Sequence, residues 1–516
     1  MLDDKVKLLE YISSCLKPKQ IEKSENGEVF TPMHLIDMLL DQLPQEIWTN
    51  KDLKILDLSC GMGNFPISLY YKLMKGLSDK EFKTLDDKKK HILENMLYMS
   101  ELNKKNCFLV KQIFDPSGEY KLNLYNGDSL TLDMKKEFNV DKFDLVIGNP
   151  PYNSGGIKSH TGKQLSKDGK KNKTIWPDFV KISLKHLKQQ GYLVHINPLS
   201  WLKNTHSVHS MLLEKHITYL RLWDTSQSKQ TINAEIPISL YVLHNVLNTE
   251  KLPTKIISEI KRQHLTTESN VYLDTQLSIP LAYHSIFNKI KTKIDDEKLN
   301  IEVLTKTVKS EGKAFKLPLE FKQEDNIGID TYRLKDGHFV KKVKPGEVHP
   351  HFNNTKLIIS NKSSFKGVFI DDGKLSLVGN HKFYILSKPE VNLEKLQKIF
   401  ELQLFNKLSH FMKYGQNFLD KSICDYIPNL SLDDITDLNV CNFFELISDE
   451  ITQILGNQEI KKVQEVQEVQ EVQEVQEVQA IVDEIVDEDL NKKTVKDLRA
   501  LCKEKGLKNY SKLKKA

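Results

Sequence analysis

Several features are missing from this 516-residue sequence, and each absence excludes a class. No stretch approaches the roughly 18 apolar residues of a membrane-spanning helix, and the opening MLDDKVKLLEYISSCLK is not a secretory signal. Cysteine is sparse. Cys15, Cys60, Cys107, Cys424, Cys441 and Cys502 are scattered, and no two stand in a C-x-x-C pair. Neither a zinc ribbon nor a disulfide framework is indicated, and no metal-ligand cluster stands out. A reducing intracellular compartment is expected: bacterial cytoplasm, or a host cell if the source is viral. Charge of one sign is not in large excess, since 75 Lys and Arg against 70 Asp and Glu leave +5. What is present is ordinary for a folded chain. With 39% hydrophobic and 28% charged residues, wholesale disorder is excluded, and the length predicts about three domains.

Along the chain, apolar spacing predicts a helix within residues 1–45, at LIDMLLDQL. KILDLSC (54–60) reads as a strand, GMGNF (61–65) as a glycine turn, and PISLYYKLM as a following helix. Strands are predicted again at the end of HILENMLYMSELN, at LYNGDSL, FDLVIG, YLVHINP and ISLYVLHN, with a helix at FVKISLKHLKQQ. Strands alternating with helices indicate an α/β domain with a mainly parallel sheet, spanning 1–250. Ligands of such sheets sit outside the carboxyl ends of the strands, so chemistry is sought there. Residues 251–455 mix short β-like runs with helical stretches and read as an α+β domain. Within 456–490, VQE repeats nearly six times (463–479), a low-complexity linker whose period of three does not fit a helix. The tail, 491–516, is basic, with eight Lys or Arg and two acids from Thr494 onward.

The strongest chemical signal is Asn149-Pro150-Pro151-Tyr152, directly after FDLVIG. An aromatic amine is a poor nucleophile because its lone pair is delocalised into the ring. Two acceptors on its N–H groups draw the nitrogen toward tetrahedral geometry. The Asn149 side-chain oxygen is one acceptor, and the Pro150 carbonyl, with φ fixed, is the other. Tyr152 supplies a face on which a base can stack, worth about 1–3 kcal/mol. Four further segments accompany it: Asp57-Leu58-Ser59-Cys60-Gly61-Met62-Gly63-Asn64-Phe65, whose glycines let backbone approach a ligand; Glu101, an acid at a strand end; Asp128 in a turn; and Thr31-Pro32 before a helix. Each alone has a plain alternative: a packing turn, a surface glutamate, a turn aspartate, a helix cap. Glu101 lies 38 residues beyond Gly63, so an extra helix at about 84–96 is predicted between them.

Together these segments resemble the adenine-N6 DNA methyltransferases of restriction–modification type, in the order GEVFTP, DLSCGMGNF, SELN, NGDSL, NPPY. The resemblance covers about residues 20–250 well and extends loosely to about 455. It implies a Rossmann-like, S-adenosyl-L-methionine-dependent catalytic domain followed by a target-recognition domain at 251–455. It implies cofactor contacts by Thr31, Asp57, Cys60, Gly61, Gly63, Asn64, Glu101 and Asp128, and catalysis by Asn149, Pro150, Pro151 and Tyr152. It also implies flipping of the target base from double-stranded DNA, with neither metal nor covalent intermediate. The sequence departs from the family at Leu58, where proline is usual, and at Ile232, where a phenylalanine usually walls the base pocket.

The tail resembles a SAP-type DNA-binding module, in which Val495, Leu498, Leu501 and Leu507 would form a small core; a solvated basic tail is the alternative. The six lysines of 155–173 would grip phosphates or merely solubilise a loop. Competing substrates are cytosine N4, an RNA base or a protein glutamine, which the same two-acceptor chemistry serves. No nuclease signature is seen, so a separate restriction endonuclease is the expected partner, and no membrane is expected.

Overall fold

The computed structural model describes residues 31–153, 173–250, 252–296 and 301–456, apart from 321, 323–324, 334, 361–366, 380–381, 415–419, 428–429 and 431–433, together with 496. Most of the lysine-rich stretch, the VQE repeat and nearly all of the tail lie outside the described residues, as does GEVF of the first motif. Among the described residues no helix is long and apolar enough to cross a membrane.

A nine-stranded sheet organises the first compact unit, which ends at Asp433. Its strands are β1 Ile55–Asp57, β2 Leu97–Glu101, β3 Asn123–Asn126, β4 Phe143–Gly148, β5 Leu187–Pro198, β6 Lys215–Trp223, β7 Ile238–Leu247, β8 Thr254–Ile260 and β9 Leu265–Val271. They lie in the order β3-β2-β1-β4-β5-β7-β6-β8-β9. Five neighbouring pairs are parallel and three antiparallel, which makes this the mainly parallel α/β sheet the sequence predicts. β1 is buried at all three positions, and Ile55 pairs with Leu97 on one side and Leu145 on the other. The apolar pair Ile55-Leu56 suits a strand covered on both faces, and the strand ends on the acid Asp57.

The chain runs outward from β1 through β2 to β3, then returns to the far side of β1 for β4. The crevice between the carboxyl ends of β1 and β4 is therefore the switch point at which open α/β sheets bind ligands. Helix α1 (Met33–Leu40) buries Leu35, Ile36, Leu39 and Leu40, as its spacing predicts. Helix α2 (Asn64–Gly76) starts directly after Gly63. The helix predicted between α2 and β2 is present as Leu85–His91 and closes in a π-turn, Ile92–Met96.

The sheet continues past residue 250. β8 runs parallel to β6, and Glu259 on β8 clamps Arg221 of β6 through two hydrogen bonds of 2.8 and 2.7 Å, while also accepting from the Trp223 indole. Beyond it, two four-stranded sheets share one core. Ile327, Ile329, Val340 and Leu377 of one sheet meet Ile358 and Tyr384 of the other, together with Leu375. The predicted runs TKLIISN, GVFIDD and KFYILS appear as strands Thr355–Ser360, Phe369–Asp372 and Lys382–Leu386. The long helical stretch from Leu393 breaks at Leu402 (ψ 140°) into Leu393–Glu401 and Gln403–Ser409. The second compact unit begins at Asp434, and its described part holds helices Asp437–Phe443 and Ser448–Leu455.

Candidate active site

β1 ends on Asp57, whose side chain is 1% exposed. Its Oδ1 accepts from the Ser59 N–H at 3.0 Å, and its Oδ2 is buried with no hydrogen-bond partner. Burial pushes this carboxyl up to about 8; the Ser59 N–H opposes the shift and the neighbouring charge of Glu101 adds to it. Among the described residues no cation opposes the shift, so this aspartic acid favours its neutral form below about pH 8.

After Asp57 the chain turns through two left-handed glycines, Gly61 (φ 54°) and Gly63 (φ 94°). The space beside Gly61 is open, whereas a Cβ on Gly63 would meet Val110 and Phe114 at 3.4 and 3.5 Å. Two hydrogen bonds tie the turn, Cys60 N–H to the Ser100 carbonyl (3.1 Å) and Gly63 N–H to the Cys60 carbonyl (2.8 Å). Burial pushes the Cys60 thiol well above its usual range, and the carboxylates of Asp57 and Glu101 push the same way. Cys60 is therefore a small neutral wall and not a thiolate.

Glu101 stands at the end of β2, facing the glycine turn. Its Oε2 accepts from Gly61 N–H at 2.9 Å and its Oε1 from Asn103 N–H at 2.7 Å. Its backbone carbonyl takes the Gly127 N–H at 3.0 Å, which draws the Asp128 turn alongside. Asp128 itself is exposed, and its Oδ1 accepts from Leu130 N–H at 3.0 Å. The neighbouring Ser129 is buried; its hydroxyl donates to the Leu58 carbonyl and lies against the Ser100 hydroxyl, both at 2.6 Å. Sequence reading passed over Ser100 and Ser129, because an isolated serine carries no signal until the strand ends meet.

The Asn149 turn stands at the carboxyl end of β4, beside Asp57. Gly148 precedes it with φ 156°, and a Cβ there would lie 3.0 Å from Asp57 Oδ1. Asn149 and Pro151 are half-buried, while Pro150 and Tyr152 are buried. Tyr152 is 8% exposed, with its hydroxyl buried and unpartnered, and burial pushes the phenol upward. Its carbonyl accepts from Ile175 N–H at 3.2 Å, which anchors the turn to helix α3 (Trp176–His186).

Thr31 joins these parts. Its carbonyl accepts from Asn64 Nδ2 at 2.9 Å and its hydroxyl oxygen from Asn149 Nδ2 at 3.1 Å. The cap position of α1 belongs to Pro32, with no side-chain capping bond, so the Thr31 hydroxyl serves the site and not the helix. Ile232 ends helix Thr225–Ile232 at 4% exposure, ahead of left-handed Asn233 (φ 57°). Thr31, Asp57, Cys60, Gly61, Gly63, Asn64, Glu101 and Asn149 are thus drawn together, with Asp128 at the rim. Among the described residues, no group of three or more His, Cys, Asp or Glu is arranged to hold a metal ion.

Residues 56–231 match the family described as Eco57I restriction-modification methylase. That span holds Asp57, the glycine turn, Glu101, Asp128 and the Asn149 turn. Residues 489–516 match the Rho termination factor N-terminal domain, where a SAP-type module was expected. Among curated proteins the chain is 26% identical to an uncharacterized adenine-specific methylase of Mycoplasma pneumoniae, over 38% of this chain and 61% of that protein. It is 28% identical to the type II restriction enzyme and methyltransferase RM.BcgI of Heyndrickxia coagulans, over 35% of this chain and 25% of that protein. The chain thus spans less than two thirds of the length of either relative. A solved structure of the type IIL restriction-modification enzyme MmeI in complex with DNA aligns with TM-score 0.41 and 10% identity, over 84% of this chain and 77% of that one.

Proposed function

We propose that this chain, whose residues 56–231 form a restriction-modification methylase domain of the Eco57I type, is a site-specific DNA methyltransferase. It moves a methyl group from S-adenosyl-L-methionine to N6 of an adenine flipped out of duplex DNA. One observation carries the reading: the Asn149 turn and the Asp57 carboxylate stand side by side at the ends of β4 and β1, with Gly148 leaving no Cβ between them.

The residues fit the cofactor. A buried carboxyl oxygen without a partner suits an arriving ammonium, whose charge would draw the Asp57 carboxyl into its ionised form and so make it the counter-ion. Glu101, which orients Gly61, would accept from ribose hydroxyls, and the open side of Gly61 leaves room for close approach. Asp128, at the rim, would accept from the adenine amino group of the cofactor. When bound, S-adenosyl-L-methionine supplies a methyl group on a sulfonium. Asn149 Oδ1 and the Pro150 carbonyl accept the two N–H groups of the target amine, sharpening its lone pair. The displaced proton leaves to water, so no strong base is required. Stabilisation of this kind, aimed at charge that develops only in the transition state, is the largest ordinary source of rate.

The part of 251–455 that lies beyond the nine-stranded sheet, whose last strand ends at Val271, is assigned to target recognition, 456–490 to a linker and 491–516 to DNA tethering. The partners are duplex DNA and a separate restriction endonuclease. The deciding experiment is incubation with methyl-labelled cofactor and plasmid DNA, followed by nucleoside analysis and mapping of modified sites. N6-methyladenine at a defined sequence is expected, lost on Asn149→Ala by at least about 100-fold. Label in N4-methylcytosine, RNA or protein would overturn the substrate assignment.

A further inference from the structure

We propose that Thr31 is a positioning residue: its hydroxyl decides which end of the Asn149 amide faces the target base. This inference rests on the reading of Asn149 as the acceptor for the amine.

An amide has two unlike ends. With Oδ1 toward the base, Asn149 accepts from the amine; turned over, it presents an NH2 group to another NH2 group, donor against donor. Something must therefore hold the productive orientation. Asn149 Nδ2 donates to Thr31 Oγ1 over 3.1 Å, across 118 positions of sequence. Thr31 is itself held firmly. It is 4% exposed, and its carbonyl is bound to the side chain of Asn64, the first residue of α2. That bond fixes the Thr31 backbone against the start of α2, from which its hydroxyl reaches Asn149.

The hydroxyl group also explains how the choice is enforced. It offers one proton and two lone pairs. Facing Oδ1 it would have to spend its proton on Asn149. Facing Nδ2 it accepts, and the proton remains for another acceptor. Were that proton spent on the carboxylate of a bound cofactor, the hydroxyl could meet only the NH2 end of Asn149. Cofactor occupancy would then lock Asn149 Oδ1 toward the base.

The test uses the full-length enzyme, with the target sequence taken from modification mapping. Single-turnover rates at saturating cofactor and DNA are compared for Thr31→Val, Thr31→Ser, Asn149→Asp and the double variant Thr31→Val/Asn149→Asp. Aspartate has two equivalent acceptor oxygens, so it has no wrong end. Thr31→Val is expected to slow the single turnover by about 10- to 100-fold, and Thr31→Ser to restore most of the rate. In the Asn149→Asp background, Thr31→Val should not slow the rate, since no orientation remains to be lost. A second readout does not depend on turnover. With S-adenosylhomocysteine bound, the parent should prefer target DNA carrying adenine over DNA carrying purine, which lacks the amine. Thr31→Val should lose that preference, whereas Thr31→Ser should keep it. Equal slowing by Thr31→Val in both backgrounds, or an unchanged preference for adenine, would overturn the proposal. If the parent enzyme leaves adenine in DNA unmethylated, the functional reading falls first and this inference with it.

Discussion

Gly148 and Asp57 lie back to back at the ends of adjacent parallel strands: a methyl group on the Gly148 Cα would come within 3.0 Å of Asp57 Oδ1 and 3.5 Å of the Ser59 hydroxyl. The glycine is what lets the Asn149 turn stand directly over the acid at the end of β1. Gly148→Ala therefore meets two obstacles, a φ of 156° and this contact. Overpacking of this kind costs about 1–3 kcal/mol. The expected outcome is a lower melting temperature and at least a tenfold loss of cofactor affinity by calorimetric titration. Binding and melting equal to the parent would show that the crevice is looser than this contact implies.

Asp57 should give the protein a pH signature. Its carboxyl is raised from 3.8 to about 8, so the folded protein keeps a proton that the unfolded chain releases above about pH 4. Stability contributed by that proton is fully present below pH 4 and is lost as pH rises through 8. Asn at this position has no proton to lose. Asp57→Asn should therefore melt higher than the parent near pH 8, with the difference shrinking toward pH 4. Cofactor binding runs the other way. A cationic ligand favours the ionised acid, so the parent's affinity should climb as pH approaches 8, while that of Asp57→Asn stays low and flat. A parent and variant that differ by a constant at every pH would refute the assignment.

Glu101 holds two backbone N–H groups at once, Gly61 and Asn103, one on each oxygen. Glu101→Gln replaces one acceptor by an NH2 group that must face an N–H. The glycine turn should loosen, with faster amide hydrogen exchange at Gly61 or Asn103 and cofactor affinity reduced by about ten- to a hundredfold, equivalent to about 1.4–2.7 kcal/mol. Unchanged exchange together with weakened binding would mean that Glu101 contributes only through the ligand.

Lys356 and Asp371 form a buried ion pair of 2.6 Å, with side chains 0% and 2% exposed, and the ammonium also donates to the Asn354 carbonyl at 3.1 Å. Removing one partner leaves the other charge stranded, at a cost of about 3–5 kcal/mol. Lys356→Met should destabilise the protein by that order in denaturant titration, and Lys356→Met/Asp371→Leu should recover much of the loss. A double variant as unstable as the single one would indicate that the pair's hydrogen bonds to backbone matter more than its charge.

Much of this architecture can be read from residue order. Short, largely apolar runs at KILDL and FDLVIG become central parallel strands because both of their faces are covered. The 38-residue gap between Gly63 and Glu101 becomes the extra helix and π-turn. Where the sheet stops is less legible. TKIISEI and LTTESNV are rich in polar residues and show no clean apolar alternation, yet they extend the sheet past residue 250, where Glu259 finds Arg221 and Trp223 across the β6–β8 pairing. The broken helix at Leu402 also escapes the pattern, since the apolar spacing runs on through the break.

The sequence by itself determined the chemistry on offer: an amide, two prolines and a ring after an apolar strand, an acid and two glycines after another, a second acid at the end of a third. Those are local facts, set by residue type and by strand and turn preference. Only the tertiary structure decided their relationships. It assigned the Thr31 hydroxyl to Asn149 instead of to its own helix, neutralised Asp57 by enclosing it, and set Glu101 across the glycine turn. The reason is that hydrogen-bond partners and desolvation depend on which strand ends become neighbours. Strand order joins positions 31, 64 and 149 through bonds that no spacing along the chain encodes.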